Sequence, residues 1–346
     1  MKIKEVKYIK SGEILASPIY TDEKTILIPA GTELKKEYID LLLPLGIEIV
    51  EIEDKYESIE KSSLIIPEEV KSEFKEKIQN ILGKHIYSGK GSLCKIKDIA
   101  IEIIDFVNNI DLNCIYDIPY RQTDLYEHTI SVTIFSLLVA RKINLSQERM
   151  EDIAIGCLLH DLGLRYITIP YVNKKIDELP PEDIFEYKKH TILAYTVLDE
   201  EEWLSQVSKN MVLSHHEKMN GSGFPLKQRE QDIECRIIQL CDSFDCLISG
   251  MECGRYSVEK VMNYFLTVAG EKYDKDLMKD LFSMIGKYPV GTEVELSDHT
   301  YGVVTCQTNC IDCPIINLLD EMSGNIVENK VYDLNENKEI QIIRVI

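Results

Sequence analysis

The chain has 346 residues, 45% of them apolar and 28% charged, and a formal net charge of −20. That length suits two or three domains with a sizeable core. The acidic surplus excludes an electrostatic DNA binder, because duplex binding relies on Lys and Arg to neutralise phosphates; an anionic ligand would need locally bound cations, which metal ions can supply. The first residues, MKIKEVKYIK, lack the apolar stretch of a signal peptide. No run approaches the roughly 20 apolar residues of a membrane helix, and the best, IDLLLPLGIEIV, is broken by Asp40, Pro44 and Glu48. The expectation is a cytoplasmic protein with no membrane partner, whose ten cysteines are mostly small buried thiols.

In chain order, residues 1–55 predict a small α+β unit. TILIP alternates as a strand, LKKEYIDLLLPLG reads as a helix ending at Gly46, and IEIVEI reads as a strand. The charged stretch EDKYESIEKSS starts a linker at Glu53, and residues 56–115 are predicted as linker and then helices, with Pro67 near a helix start. Residues 116–286 read as almost entirely helical, because apolar residues recur at helical spacing in HTISVTIFSLLVARKI, MEDIAIGCLLHDLG, EDIFEYKKHTILAYTVL, VSKNMVLSHHE and ECRIIQLCDSFDCLI. After Pro289 the pattern changes to β-branched, alternating segments, which predicts a β-rich unit over 287–346. The fold class expected is mainly α, a helical bundle flanked by two small β-containing units.

Five of the seven histidines fall in the helical region. His128 and His190 stand alone, His160 precedes Asp161, and His215–His216 open the run HHEKMNGSGFP; Asp242 follows in IIQLCDSFD. Singly, each would more often be a core histidine or a capping aspartate than a ligand. The adjacent pairs change that reading, since His160–Asp161 and His215–His216 emerge from apolar helices and need partners there. Imidazole nitrogen and carboxylate oxygen from several helices suit iron, manganese or zinc, and an aspartate can bridge two ions. Such a centre makes a hydroxide available at neutral pH and neutralises a phosphoryl group under attack.

The order H, HD, H, HHExxxGxG-aromatic-Pro, D resembles the HD-GYP family of HD phosphohydrolases, and the sequences flanking it resemble that family's usual N- and C-terminal units. The resemblance implies an HD-type bundle and a phosphodiesterase that cleaves cyclic di-GMP, or a related nucleotide, to pGpG or GMP, with signalling proteins as further partners. It implies two or three divalent ions, iron or manganese, held by His128, His160, Asp161, His190, His215, His216 and Asp242, with Asp161 as bridge and catalytic centre. Asp124, one helical turn before His128, stands where members with a third ion carry a carboxylate; its other reading is a helix-start aspartate. Lys174, Gly221, Gly223, Phe224, Arg255 and Tyr256 fall at substrate-binding places, and Glu217 suits an acceptor orienting an imidazole.

Departures from the family pattern bear on substrate grip. The Lys that usually follows HD-x-Gly is Leu164, with Arg165 one step further round the helix. The tyrosine of Gly-Tyr-Pro is Phe224, the usual alanine after the metal-binding aspartate is Cys246, and the Arg-Pro-Tyr-Arg stretch is replaced by ISGMECGRYS. These leave two alternatives open: a weakly active or inactive module that binds without turnover, and a phosphohydrolase of another nucleotide. Separately, Cys306, Cys310 and Cys313 in CQTNCIDCP suit zinc, an iron–sulfur cluster or a redox pair, although no fourth ligand is evident.

Overall fold

The structure is a computed structural model. It describes the chain apart from residues 1, 22–24, 48, 54, 57–58, 60–63, 89–91, 119–122, 170, 172–174 and 321–323. The elements in order are β1 (Lys2–Glu5), β2 (Glu13–Ile14), β3 (Ile19–Tyr20), β4 (Ile26–Ile28), β5 (Glu33–Leu34), α1 (Lys36–Leu42), β6 (Ile49–Ile52), α2 (Glu68–Ser88), α3 (Ile96–Asn108), α4 (Leu125–Lys142) and α5 (Gln147–Leu159). They continue with α6 (Pro181–Lys188), α7 (His190–Asp199), α8 (Gln206–Ser214), α9 (Ile233–Ser249), α10 (Val258–Val268), α11 (Lys275–Phe282), β7 (Glu293–Leu296), β8 (Tyr301–Cys306), β9 (Ile315–Leu319), β10 (Ile326–Asp333) and β11 (Ile342–Val345). The fold is mainly α. The chain divides into two compact units, one of residues 1–64, 115–120 and 286–346, the other of residues 65–114 and 121–285.

In the first unit, β1 pairs antiparallel with β6, and β2–β5 and β3–β4 form two further short pairs. Their apolar faces meet in a core of Val6, Leu15, Leu34, Leu42, Val50 and Ile52. The C-terminal part is a five-stranded antiparallel sheet in the order β10-β9-β8-β7-β11. Its interior strand β7, between β8 and β11, is buried along its length, Glu293 and Glu295 included. Buried carboxylates need partners, and both have them: Lys4 Nζ lies 3.5 Å from Glu293 and 2.9 Å from Glu13, and Arg344 Nε lies 2.5 Å from Glu295.

The second unit is a helical bundle centred on α4. Every α4 residue from His128 to Ala140 is buried, the signature of a helix enclosed by others; α5, α9, α2 and α11 pack around it. The helix starts are set by local chemistry. Asp124 accepts the Tyr126 and Glu127 N–H groups at the head of α4, and Ser146, Ser205, Ser257 and Asp274 do the same for α5, α8, α10 and α11. Among the described residues, no helix is long and apolar enough to cross a membrane.

Candidate metal centre

The histidines stand at helix ends. His128 lies in the first turn of α4; His160 caps the C-terminus of α5 with Asp161 just beyond; His215 caps α8 and is followed by His216. His190, which the periodicity predicted in mid-helix, opens α7 after a one-residue break from α6. Gly163 makes the tight approach of this layer possible: a Cβ there would sit 1.8 Å from the His190 carbonyl oxygen. All five imidazoles, Asp161 and Asp242 are buried.

Hydrogen bonds fix the imidazole tautomers. The Nδ1 atoms of His160, His190 and His215 lie 2.6, 2.7 and 2.8 Å from the carbonyl oxygens of Cys157, Tyr187 and Val212. A carbonyl only accepts, so each Nδ1 carries the proton, and the neutral ring presents an Nε2 lone pair. His128 Nδ1 donates to Asp245 Oδ2 at 2.6 Å, the carboxylate–histidine pairing that orients a metal ligand. The Nε2 atoms then converge, 3.3 Å apart between His128 and His160 and 3.1 Å apart between His190 and His215.

Asp161 stands between two sets. Its Oδ2 is 3.6 Å from His128 Nε2 and 3.3 Å from His160 Nε2, while its Oδ1 is 3.7 Å from both His190 Nε2 and His215 Nε2. Asp242 Oδ1 is 3.2 Å from His128 Nε2, and its Oδ2 is 3.7 Å from His216 Nδ1. Asp161 Oδ1 and Asp242 Oδ2 are buried without a hydrogen-bond partner. Orphaned carboxylate oxygens facing imidazole lone pairs fit divalent cations: the donors are of the right type, and their burial is otherwise uncompensated.

Protonation follows the same geometry. Burial penalises the His128 cation, but the Asp242 and Asp245 carboxylates outweigh it and push the ring up to about 10. Burial and the neighbouring His215 push His190 down to about 3 and His216 well below the ordinary imidazole range. Burial alone would raise the Asp161 and Asp242 carboxyls; His160 beside the first and His128 beside the second hold both below the usual carboxylate range. Without metal, the carboxylates therefore recruit protons onto the His128 side of the cluster.

A cavity of about 540 Å³ opens beside His216. Gly223, Phe224 and Tyr256 line it, as does Cys246. The Phe224 ring stacks on His216, with centroids 4.6 Å apart and planes at 24°. A Cβ at Gly223 would sit 2.4 Å from the His216 carbonyl oxygen, so only glycine lets this turn press against the site. Four lysines also line the cavity: Lys175, Lys188, Lys218 and Lys272. Lys218 donates to Ser243 Oγ at 2.7 Å and lies 4.4 Å from the Tyr273 ring centroid; Lys188 lies 5.3 Å from that of Phe224.

Several expectations are corrected. Asp124 is outside the cluster: its carboxylate caps α4 and pairs with Lys75 at 3.0 Å. Arg255 does not line the cavity; it donates to the Ser249 carbonyl and to Thr123 Oγ1, each at 2.9 Å, tying a loop to the chain ahead of α4. Gly221 sits in the turn at φ +77, off the cavity wall. Glu217 orients no imidazole: it accepts the backbone N–H groups of Leu226, Lys227 and Gln228 and so holds the loop behind Phe224. Leu164 packs in an apolar cluster with Tyr187, Cys246 and Met251, and Arg165 is turned to Tyr126. Lys174 lies outside the described residues. Cys310 and Cys313 adjoin, while among the described residues no group of three potential ligands includes them.

The sequence reading missed Asp245, Tyr187 and Glu252, as well as the lysines. Asp245 was legible in principle, three residues after Asp242 and on the same helix face. Glu252 was not: its neighbours His216, with Nε2 3.3 Å away, and Tyr187, whose hydroxyl it accepts, come from distant helices. Burial first, and then the Asp161 charge, push its carboxyl up to about 8.

Comparison with known proteins agrees with this geometry. Residues 118–277 match the HD domain family. This segment, a little under half of the chain, resembles an HD domain. The chain is 30% identical over 157 residues to a cyclic di-GMP phosphodiesterase of Thermotoga maritima, covering 44% of this chain and 40% of that protein. It is 24% identical over 228 residues to a cyclic di-GMP phosphodiesterase of Borreliella burgdorferi, covering 62% of this chain and 56% of the relative. The matches thus span about half the length of these relatives or less. In structure, the chain resembles a solved HDG"Y"P protein from Bdellovibrio bacteriovorus with a TM-score of 0.50 at 17% identity, covering 81% of this chain and 97% of the other; at that identity the likeness speaks to fold. The histidine–aspartate cluster, from His128 to Asp242, lies within the segment that matches the HD domain.

Proposed function

We propose that the chain is a metal-dependent phosphodiesterase that hydrolyses cyclic di-GMP to pGpG or GMP. The observation that carries this reading is the convergence of tautomer-fixed Nε2 atoms on the two oxygens of Asp161. His128, His160, Asp242 and Asp161 Oδ2 would hold one ion, and His190, His215, His216 and Asp161 Oδ1 a second; iron and manganese suit these donors. When bound, such ions supply Lewis acidity and a hydroxide at neutral pH.

The chain's own residues do the rest. Asp245 fixes the His128 ring, and Tyr187 supplies the carbonyl that orients His190. Phe224 and Tyr256 offer ring faces to a guanine base. The family's phosphate-holding lysine is absent at Leu164, and Lys188, Lys218 and Lys272 bring positive charge to the cavity from other segments. These lysines, set against Asp177, Glu178 and Glu252 on the same wall, make the cavity far less acidic than a chain of net charge −20 as a whole.

The test is anaerobic incubation of manganese- or iron-loaded protein with cyclic di-GMP. Linear product is expected, and a fully loaded sample that yields none overturns the reading. One observation favours a second reading. Leu164, where the family carries its phosphate-holding lysine, is buried in an apolar cluster, which suits a module that binds the dinucleotide without turning it over; micromolar binding with no product in the same assay would identify it.

A further inference from the structure

The cysteine-rich turn between β8 and β9 has no part in the metal centre. Cys310 Sγ and Cys313 Sγ lie 2.7 Å apart, and both residues are half-buried, within reach of a small reagent. The turn is pinned in this form. The Cys313 N–H donates to the Cys310 carbonyl at 3.1 Å, Thr308 Oγ1 accepts the Cys310 N–H at 3.1 Å, and it donates to the Cys313 carbonyl at 2.7 Å. Cys306 is turned elsewhere, its thiol donating to the Gln307 carbonyl. A disulfide needs sulfurs about 2.05 Å apart, so a shift of about 0.7 Å brings the pair to bonding distance.

We propose that Cys310 and Cys313 form a thiol–disulfide exchange site that reacts with low-molecular-mass disulfides. The Cys310 thiolate attacks one sulfur of the disulfide, forming a mixed disulfide and expelling a thiolate that takes up the proton Cys310 has lost. The Cys313 thiolate then attacks the Cys310 sulfur, closes the internal bond and expels the second thiolate, which is protonated in turn. The protein dithiol gives up two electrons and two protons, and the reagent disulfide becomes two thiols. Burial and the adjacent Cys310 push the Cys313 thiol up to about 11, which suits Cys313 to the second, intramolecular step.

The experiment treats the full-length protein with oxidised glutathione and maps its peptides. The exposed Cys94 and Cys114 act as internal gauges of ordinary thiol reactivity. In the wild type, the peptide holding Cys310 and Cys313 should lose two hydrogens, and dithiothreitol should restore them. Cys313→Ser should stop at a glutathione adduct on Cys310, while Cys310→Ser should slow modification of Cys313 at least tenfold; circular dichroism confirms that each variant is folded. Adducts that accumulate on the wild-type turn without an internal bond overturn the proposal. So does a bond that recruits Cys306, a turn less reactive than Cys94 and Cys114, or stoichiometric zinc held by this turn and lost in Cys310→Ser.

Discussion

At His128 a proton and a metal ion compete for one nitrogen. Its Nδ1 is committed to Asp245, and its Nε2 faces Asp242. In the metal-free chain its pKa is raised from 6.5 to about 10. The stabilisation from this cation is therefore complete below pH 6.5 and is lost as the pH rises through about 10. A metal at Nε2 must displace that proton. The affinity of the His128-side site for metal should consequently rise about tenfold per pH unit between pH 7 and 9, with one proton released as that site fills in an unbuffered calorimetric titration; a pH-independent affinity at both sites would contradict a protonated His128. Asp245→Asn keeps an acceptor at Nδ1 but removes its charge. It is expected to weaken metal binding by about 10–100-fold with an unchanged circular dichroism spectrum. Asp161→Asn removes one of the two oxygens that face the histidine sets. Metal analysis should show loss of about half the bound metal or more, and turnover should fall further than the roughly 10–100-fold expected at Asp245.

The elements owe their placement to a few side chains that terminate or brace them. Helical periodicity was readable throughout α4, α5, α8 and α9, because each has a continuous apolar face. What periodicity could not convey is that the carbonyls of Cys157, Tyr187 and Val212 accept from the Nδ1 atoms of His160, His190 and His215 and select the tautomer. The break that places His190 at the head of α7 is a case in point: the apolar pattern runs through it. The loop after α8 is set by Glu217, buried and accepting three backbone N–H groups. Glu217→Ala would orphan those donors, and a loss of at least ~2 kcal/mol in urea unfolding is expected from the penalty on unsatisfied buried groups; an unchanged midpoint would show that water replaces the carboxylate. Gly223→Ala places a methyl group against the backbone of His216 and Glu217. Backbone cannot give way as a flexible side chain does, so the Phe224–His216 stack should be displaced, and turnover should fall at least ~10-fold even where metal content is kept.

On the scale of the whole molecule, the N-terminal and C-terminal β segments belong to one unit together with residues 115–120, and the remaining residues between them form the helical unit that carries the histidine–aspartate cluster. In the first unit, Lys4 is buried against Glu13 and Glu293. A chain truncated after Ile285 loses Glu293 and leaves this lysine with a single partner. Breaking a buried pair costs about 3–5 kcal/mol, so residues 1–64 should become sensitive to limited proteolysis, while the helical unit keeps its metal, as metal analysis of the same sample would show. Protection of residues 1–64 in the truncated chain would mean that the N-terminal core holds without its partner.

The sequence by itself determined the mainly helical class, the β-rich C-terminal segment and the donors of the centre. Those features are written in periodicity and in residue types whose chemistry has few other uses when buried: His beside Asp after an apolar helix, a His doublet before a glycine turn. Only the tertiary structure decided how each donor is used. It assigned Asp124 to a helix cap, Arg255 to a loop tie and Glu217 to a backbone brace, and it brought Asp245, Glu252 and the cavity lysines to the site. The reason is physical. A side chain's role depends on which acceptors, charges and apolar surfaces reach it from distant segments, and spacing along the chain does not encode those distances.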